Sequence, residues 1–343
     1  MLDDLKYIHQ RDTQDALGIA EKQWQQLGYN FEVPKLEGAY DNIVYAGMGG
    51  SALAAIISQS WPGYKVPFEV CRNYDIPAYV GEKTLFIACS YSGNTEETLE
   101  ALEKAGATGA KIVVIAGGGK LVEQAKTKNY PLITLPQANQ PRYAVFYNFN
   151  ALISLLEPTG LFKEDNAKSQ LSSVAQPLKQ AVTSWLPTVP ANQNPAKKLA
   201  LELAGKSAVI YAGPKLAPAA YKWKISFNEN AKNIAWWSQY PEFNHNEFIG
   251  WSSHPVEKPY AVIDLLSNLE HPRIQKRFEV SAKLLSGMRP APHAVQVRGK
   301  SLIEQLLWAT SFGDFVTIYL ALINNVDPAP VDLVEKFKSE LNK

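Results

Sequence analysis

Two short stretches in the first third of the chain carry residues suited to holding an anion. Gly47-Met48-Gly49-Gly50-Ser51-Ala52 follows an apolar, β-branched run, Asn42-Ile43-Val44-Tyr45, and leads into the helix-prone Ala52-Leu53-Ala54-Ala55-Ile56-Ile57. A strand, a glycine turn and a helix start expose a row of backbone N–H groups to a ligand. Ser51 adds a hydroxyl, and glycine lets the backbone approach without Cβ interference. Alone, this loop is ambiguous. Gly47-x-Gly49-x-x-Ala52 also satisfies a dinucleotide fingerprint, with Glu69 close to where a ribose-binding acid belongs. The second stretch, Ser90-Tyr91-Ser92-Gly93-Asn94-Thr95, places three hydroxyls at another strand-to-helix junction. A dinucleotide site has no standing need of it. Two such junctions on one parallel sheet converge at its carboxyl edge, and together they make a cradle for a single monophosphate. The competing account is that Ser and Thr only cap the following helix.

The second half offers candidates for proton chemistry. Phe227-Asn228-Glu229-Asn230-Ala231-Lys232 is a polar turn beside Trp223 and Trp236-Trp237, and Glu229 is its carboxylate. Of five histidines, His245 alone sits in a polar constellation, between Asn244 and Asn246 with Glu242 and Glu247 nearby. A solvated helix face and a structural polar loop are the plain alternatives for these two.

The elements that must position these groups follow from hydrophobic patterning. A length of 343 residues allows two ordinary domains. The formal net charge of +1, with no charged tail, makes nucleic acid and membrane surfaces poor partners. Cys71 and Cys89 are the only cysteines, and no Cys-His cluster has metal-site spacing, so no metal is expected. Met1-Leu2-Asp3-Asp4-Leu5-Lys6 does not read as a signal peptide, and the apolar stretch 306–323 contains Asp314, so a cytoplasmic protein is expected. Residues 3–27 read as one amphipathic helix. Strands are expected at 43–47, 66–70, 84–89, 111–116 and 132–135, alternating with helical patterns. Pro158-Thr159-Gly160 is a natural boundary, which divides the chain into domains 1–158 and 159–343. The second half repeats the first in worn form. Strands are expected at 207–213, 259–265 and 293–297, and helices near 216–231, 301–324 and 331–342. Pro214-Lys215 replaces the Gly-Gly-Ser of the first copy, so one anion site per chain is expected, in the first half.

Gly-Gly-Ser followed by Ser-Tyr-Ser-Gly-Asn-Thr-Glu-Glu-Thr resembles the sugar isomerase (SIS) domain. With Pro241-Glu242-Phe243-Asn244-His245-Asn246-Glu247 and the turn around Glu229, nearly the whole chain resembles the bifunctional phosphoglucose/phosphomannose isomerase family. The resemblance implies an α/β fold of two SIS-type, flavodoxin-like αβα sandwich domains with mainly parallel sheets. It implies interconversion of glucose 6-phosphate, fructose 6-phosphate and mannose 6-phosphate without cofactor or metal, by a homodimer that shares active sites. By the same resemblance Gly49, Gly50, Ser51, Ser90, Ser92 and Thr95 bind the substrate phosphate, and Arg142 lies near C1 and C2. Glu229 is then the catalytic base, and His245 the ring-opening residue in its own or the neighbouring subunit. Lys338 (or Lys336) is the assisting lysine of the last helix. The chemistry asks for such a set: a carboxylate to carry a proton between C2 and C1, a permanent cation for the enediolate, and a proton shuttle at the ring oxygen. A threonine linked to the mannose activity in some members has no counterpart in Asp327-Pro328-Ala329-Pro330-Val331-Asp332. A sugar-phosphate sensor, a nicotinamide-dependent oxidoreductase and an amino-sugar phosphate isomerase are the rival readings.

Overall fold

Among the residues that the computed structural model describes (1–137, 140–253 and 259–341), nine strands form two parallel sheets. The first holds β1 (Asn42–Ala46), β2 (Phe68–Cys71), β3 (Thr84–Ser90), β4 (Lys111–Ala116) and β5 (Leu132–Thr134), in the order β2-β1-β3-β4-β5. The second holds β6 (Ser207–Ala212), β7 (Ala235–Gln239), β8 (Tyr260–Leu266) and β9 (His293–Gln296), in the order β7-β6-β8-β9. Both orders are flavodoxin-like, with switch points between β1 and β3 and between β6 and β8, where open parallel sheets take ligands. Every residue of β3 is buried, as cover on both faces requires. Cys71 and Cys89 are free, buried thiols.

The chain forms two compact units, residues 22–178 and residues 179–343 with 1–21. These units part at a different place from the division after residue 158 expected from the sequence. Gly160 adopts a left-handed turn (φ 69) but the chain stays with the first sheet's unit: Lys65 N–H donates to the Leu161 carbonyl at 2.8 Å, and Ala167 and Leu171 are buried. Residues 1–21 join the later unit through long-range bonds. The Tyr7 hydroxyl donates to the Leu322 carbonyl at 2.7 Å, and the buried Lys197 ammonium meets Asp3 at 3.0 Å.

The single helix expected over 3–27 is broken into Leu5–Arg11, Ala16–Lys22 and a 3-10 stretch, Gln23–Gly28. Asp12 breaks it, because its carboxylate accepts the N–H groups of Ala16 at 2.7 Å and Leu17 at 2.9 Å and so starts the second helix afresh. The Leu302–Ile323 helix is long and apolar enough to cross a membrane by composition, yet 89% of its most apolar window is buried within the protein. The last helix is Asp332–Leu341, and residue 342 of the expected 331–342 lies outside the described residues.

Asp264 is an anomaly in this core. It stands on β8 opposite Tyr211, in the register that Ile87 fills opposite Tyr45. It is 3% exposed, and its Oδ1 has no hydrogen-bond partner among the described residues. Burial pushes its carboxyl up to about 6 from the ordinary 3.8, with the Arg289 charge pulling the other way. The folded state therefore holds a proton that the unfolded chain has already released between those values. Stability is expected to fall as pH rises from about 4 to about 6 and then level off, by roughly 3 kcal/mol for a shift of this size. Urea denaturation across this interval tests it. The slope should vanish in Asp264→Asn, and an unchanged slope in the variant would refute the assignment.

Candidate active site

The two hydroxyl-bearing junctions meet at the β1/β3 switch point. The Gly49–Ser60 helix begins at Gly49 in a left-handed conformation (φ 50), and no side chain caps it. Its first-turn N–H groups are thus not taken by a capping side chain. Ser51 Oγ accepts the Tyr91 N–H at 3.1 Å, which ties this loop directly to the one after β3. There Ser90 Oγ lies 2.8 Å from Thr95 Oγ1 and 3.5 Å from Ser92 Oγ, so the three hydroxyls form one cluster. Ser90 is buried, Thr95 half-buried and Ser92 exposed. Thr95 is the N-cap of the Glu96–Gly106 helix by position, but its side chain makes no capping bond. Ser90 Oγ accepts the Gly93 N–H at 3.1 Å and Ser92 Oγ the Asn94 N–H at 3.3 Å, so both also close the turn.

Gly50 allows a close approach. A Cβ there would lie 3.0 Å from the Pro141 carbonyl oxygen and 3.2 Å from Arg142 N. The 3-10 turn Pro141–Tyr143 is thereby set against the glycine loop, with Arg142 buried, 3.3 Å from Gln140 Oε1 and 4.7 Å over the Tyr143 ring. Glu69, the acid of the dinucleotide reading, is on edge strand β2 and accepts the Tyr79 hydroxyl at 2.6 Å.

The glycines at 117–119, which follow β4, buttress the hydroxyl loop. They open the helix Gly119–Thr127, which fills the alternation between β4 and β5. Gly117 N–H donates to the Tyr91 carbonyl at 3.0 Å, Lys120 N–H to Asn94 Oδ1 at 3.1 Å, and Leu121 N–H to the Gly93 carbonyl at 2.9 Å. Gly93 is left-handed (φ 69), and a Cβ on it would fall 1.7 Å from the Gly118 carbonyl oxygen. Gly93→Ala is expected to cost about 1–3 kcal/mol of stability through strain alone. If this loop holds the substrate phosphate, KM should rise as well. Unchanged thermal stability and KM would show that the turn tolerates displacement.

The corresponding junction of the second sheet is closed by the protein itself. After β6 the Lys215 N–H donates to Glu270 Oε1 at 2.7 Å, and a Cβ on Gly213 would meet that oxygen at 2.4 Å. Glu270 follows β8, as the hydroxyl loop follows β3. Burial raises its carboxyl, and N–H groups of Lys215, Leu216 and His271 offset the rise. A carboxylate thus sits at the second junction in the position that an anion would take there. An acid just beyond a strand was the available signal for it, but the partner N–H lies 55 residues away.

The proton-transfer candidates lie on separate elements of the second sheet's unit. Glu229 ends the Ala217–Glu229 helix, half-buried, with its carbonyl accepting from Lys232 Nζ at 2.8 Å. A buried polar ladder pins this helix to Leu302–Ile323. The Lys222 ammonium pairs with Asp314, Ser226 Oγ donates to Asp314 Oδ1 at 2.8 Å, and Asn230 Nδ2 donates to Thr317 Oγ1 at 2.9 Å. His245 ends the exposed 3-10 turn Glu242–His245. Buried Phe243 anchors the turn, and Asn244 bridges to Ser281 Oγ at 3.0 Å and to Arg277 Nη1 at 2.9 Å. Lys336 and Lys338 are exposed on a helix that buries none of its residues, and Lys338 pairs with Glu335 at 2.7 Å. The described residues contain no group of three or more His, Cys, Asp or Glu placed to hold a metal.

Residues 39–157 match the SIS domain family, and residues 192–341 match the bacterial phospho-glucose isomerase C-terminal SIS domain. A bifunctional phosphoglucose/phosphomannose isomerase from Caldicellulosiruptor bescii is 34% identical over 320 residues, spanning 92% of this chain and 94% of its own. A D-glucosamine-6-phosphate 4-epimerase from Sulfolobus acidocaldarius is 33% identical over 250 residues, spanning 71% of this chain and 76% of its own. A glucose-6-phosphate isomerase-like protein from Thermus thermophilus has the same fold, with a TM-score of 0.67 over 98% of both chains at 20% identity.

Proposed function

Because the chain belongs to the bifunctional phosphoglucose/phosphomannose isomerase family, we propose that it interconverts glucose 6-phosphate and fructose 6-phosphate, and mannose 6-phosphate and fructose 6-phosphate, by proton transfer through an enediol. The observation that carries the phosphate specificity is the cluster of Ser90, Ser92 and Thr95 hydroxyls tied through Tyr91 to Ser51 at a sheet switch point. In this reading Gly49, Gly50, Ser51, Ser90, Ser92 and Thr95 hold the terminal phosphate, and its binding energy positions C1 and C2. Glu229 accepts the C2 proton and returns it at C1. Arg142 stabilises the enediolate oxygens, a role its permanent charge suits. His245 moves the proton at the ring oxygen, and Lys338 assists. Rotation about C2–C3 in the enediol would let the same base serve the mannose isomer.

We assign the enzyme to the cytoplasm as a homodimer. The exposed apolar side chains of the last helix, Leu333 at 80% and Phe337 at 61%, support a second copy as their cover.

A coupled assay with a substrate panel tests the reaction. Glucose 6-phosphate and mannose 6-phosphate should each yield fructose 6-phosphate, with the mannose isomer slower because no hydroxyl stands in 327–332. Sugar-phosphate binding without turnover would make the protein a sensor. Turnover confined to glucosamine 6-phosphate, with change at C4, would instead match the activity named for the Sulfolobus relative.

A further inference from the structure

Among the described residues, the second sheet stops one strand short of the first. In the first sheet β5 covers the outer edge of β4, whereas β9 is the last strand of its sheet. Val297 N–H donates inward to the Leu266 carbonyl at 2.9 Å. By the alternation of a parallel ladder, the N–H and C=O groups of Ala294 and Gln296 therefore face outward. They face a cavity of about 420 Å³, which is also lined by the Pro195–Leu203 and Leu302–Ile323 helices. That volume is within the usual range for small-molecule sites.

Three features of the lining define the chemistry it would take. The first is an aromatic wall. Trp308, half-buried, stacks on Phe312 at 4.9 Å and 24°, and Trp185 packs edge-on against it at 5.3 Å. A residue that interrupts an otherwise buried helix with a large ring in a cavity offers a stacking surface. The second is positive charge. Lys198 and Arg298 both line the cavity, both are exposed, and neither has a side-chain hydrogen bond or ion pair among the described residues. The third is a polar pair, His293 Nδ1 at 2.9 Å from Glu202 Oε2, beside the outward strand edge. The cations call for an anion, the wall for a planar ring, and the pair with the strand edge for hydroxyl or amino groups between them.

We propose that this cavity is a binding site for a nucleoside phosphate, with the base stacked on Trp308, the phosphate held by Lys198 and Arg298, and the ribose hydroxyls at Glu202 and His293. The site is independent of the phosphate cradle. Its lining residues belong to the second sheet's unit, and the cradle belongs to the first.

Adenosine 5′-monophosphate is the probe, titrated against tryptophan fluorescence and by calorimetry with fructose 6-phosphate held at saturation to block the cradle. Saturable binding is expected with half-saturation below about 1 mM, and loss of both cations should weaken it by about tenfold or more. Lys198→Ala/Arg298→Ala serves for this because both side chains are exposed and their loss leaves the core intact. Trp308→Leu should remove the fluorescence response and weaken binding seen by calorimetry. Ribose 5-phosphate, which lacks the ring, should bind more weakly than the nucleotide. The proposal is overturned by no binding to the wild type, by displacement of the nucleotide with fructose 6-phosphate, or by undiminished binding to the double variant. It is equally overturned if the nucleotide is ignored and Trp308→Leu lowers the oligomeric mass, which would make this face a contact between copies.

Discussion

Glu229→Gln is expected to lower kcat for both isomerisations by about 10²- to 10⁴-fold, the usual contribution of a positioned general base. The amide keeps the shape and the hydrogen-bonding reach of the carboxylate but cannot accept a proton from C2. Because the residues proposed to hold the phosphate are on other elements, KM should stay near its original value, the pattern of a group that acts only in the transition state. Exchange of the substrate C2 proton with solvent deuterium should disappear in parallel. A variant that keeps its turnover would remove Glu229 from the mechanism and leave His245 as the candidate base. Loss of sugar-phosphate binding together with kcat would assign Glu229 to binding instead.

The second large effect is expected in the ladder behind Glu229. Lys222 and Asp314 are an ion pair whose side chains are each 1% exposed, and Ser226 bonds to the same carboxylate. Removing one partner strands the other charge in the core, so Asp314→Leu alone should cost about 3–5 kcal/mol of stability. Replacing both, as Lys222→Met/Asp314→Leu, should restore most of that loss, because desolvation had offset much of the pair's attraction. The double variant is the informative one for function. The helix that presents Glu229 would then keep its packing, the Trp223 Nε1 bond to the Ala309 carbonyl at 2.7 Å and the Asn230–Thr317 bond, but would lose the ion pair nearest its middle. Its kcat is expected to fall with KM little changed, since the carboxylate is held less rigidly while the residues proposed to hold the phosphate are untouched. Equilibrium unfolding and steady-state kinetics on the three variants decide it. A double variant with full stability and full kcat would reduce the pair to a packing detail.

Neighbouring residues carried much of this protein's description. Strands such as Thr84–Ser90 and Lys111–Ala116 declared themselves because burial on both faces leaves a continuous apolar run. The hydroxyl loop declared itself because Ser, Gly and Thr at a strand end have few other uses there. The likeness to the SIS domain followed from that loop and the Gly-Gly-Ser turn, and the isomerase family from the motifs around Glu229 and His245 as well. Where propensity is weak or a long-range partner intervenes, local pattern misleads. The strand Ala235–Gln239 has a mixed edge-strand burial pattern and two tryptophans, and was not foreseen. The N-terminal helix looked continuous until Asp12 turned inward to cap its second half.

Sequence by itself thus determined the α/β class, the alternation of elements, the glycine and hydroxyl loops and the family, since each rests on residues close together in the chain. Tertiary structure alone decided that Ser51 reaches Tyr91, that Gly93 is locked against Gly118, and that residues 1–21 belong with the later unit. It alone showed that Glu270 closes the second junction and that Asp314 holds the helix of Glu229 through Lys222 and Ser226. Each of these depends on which backbone or charge a side chain meets after the sheets have formed, and local pattern carries no record of that meeting.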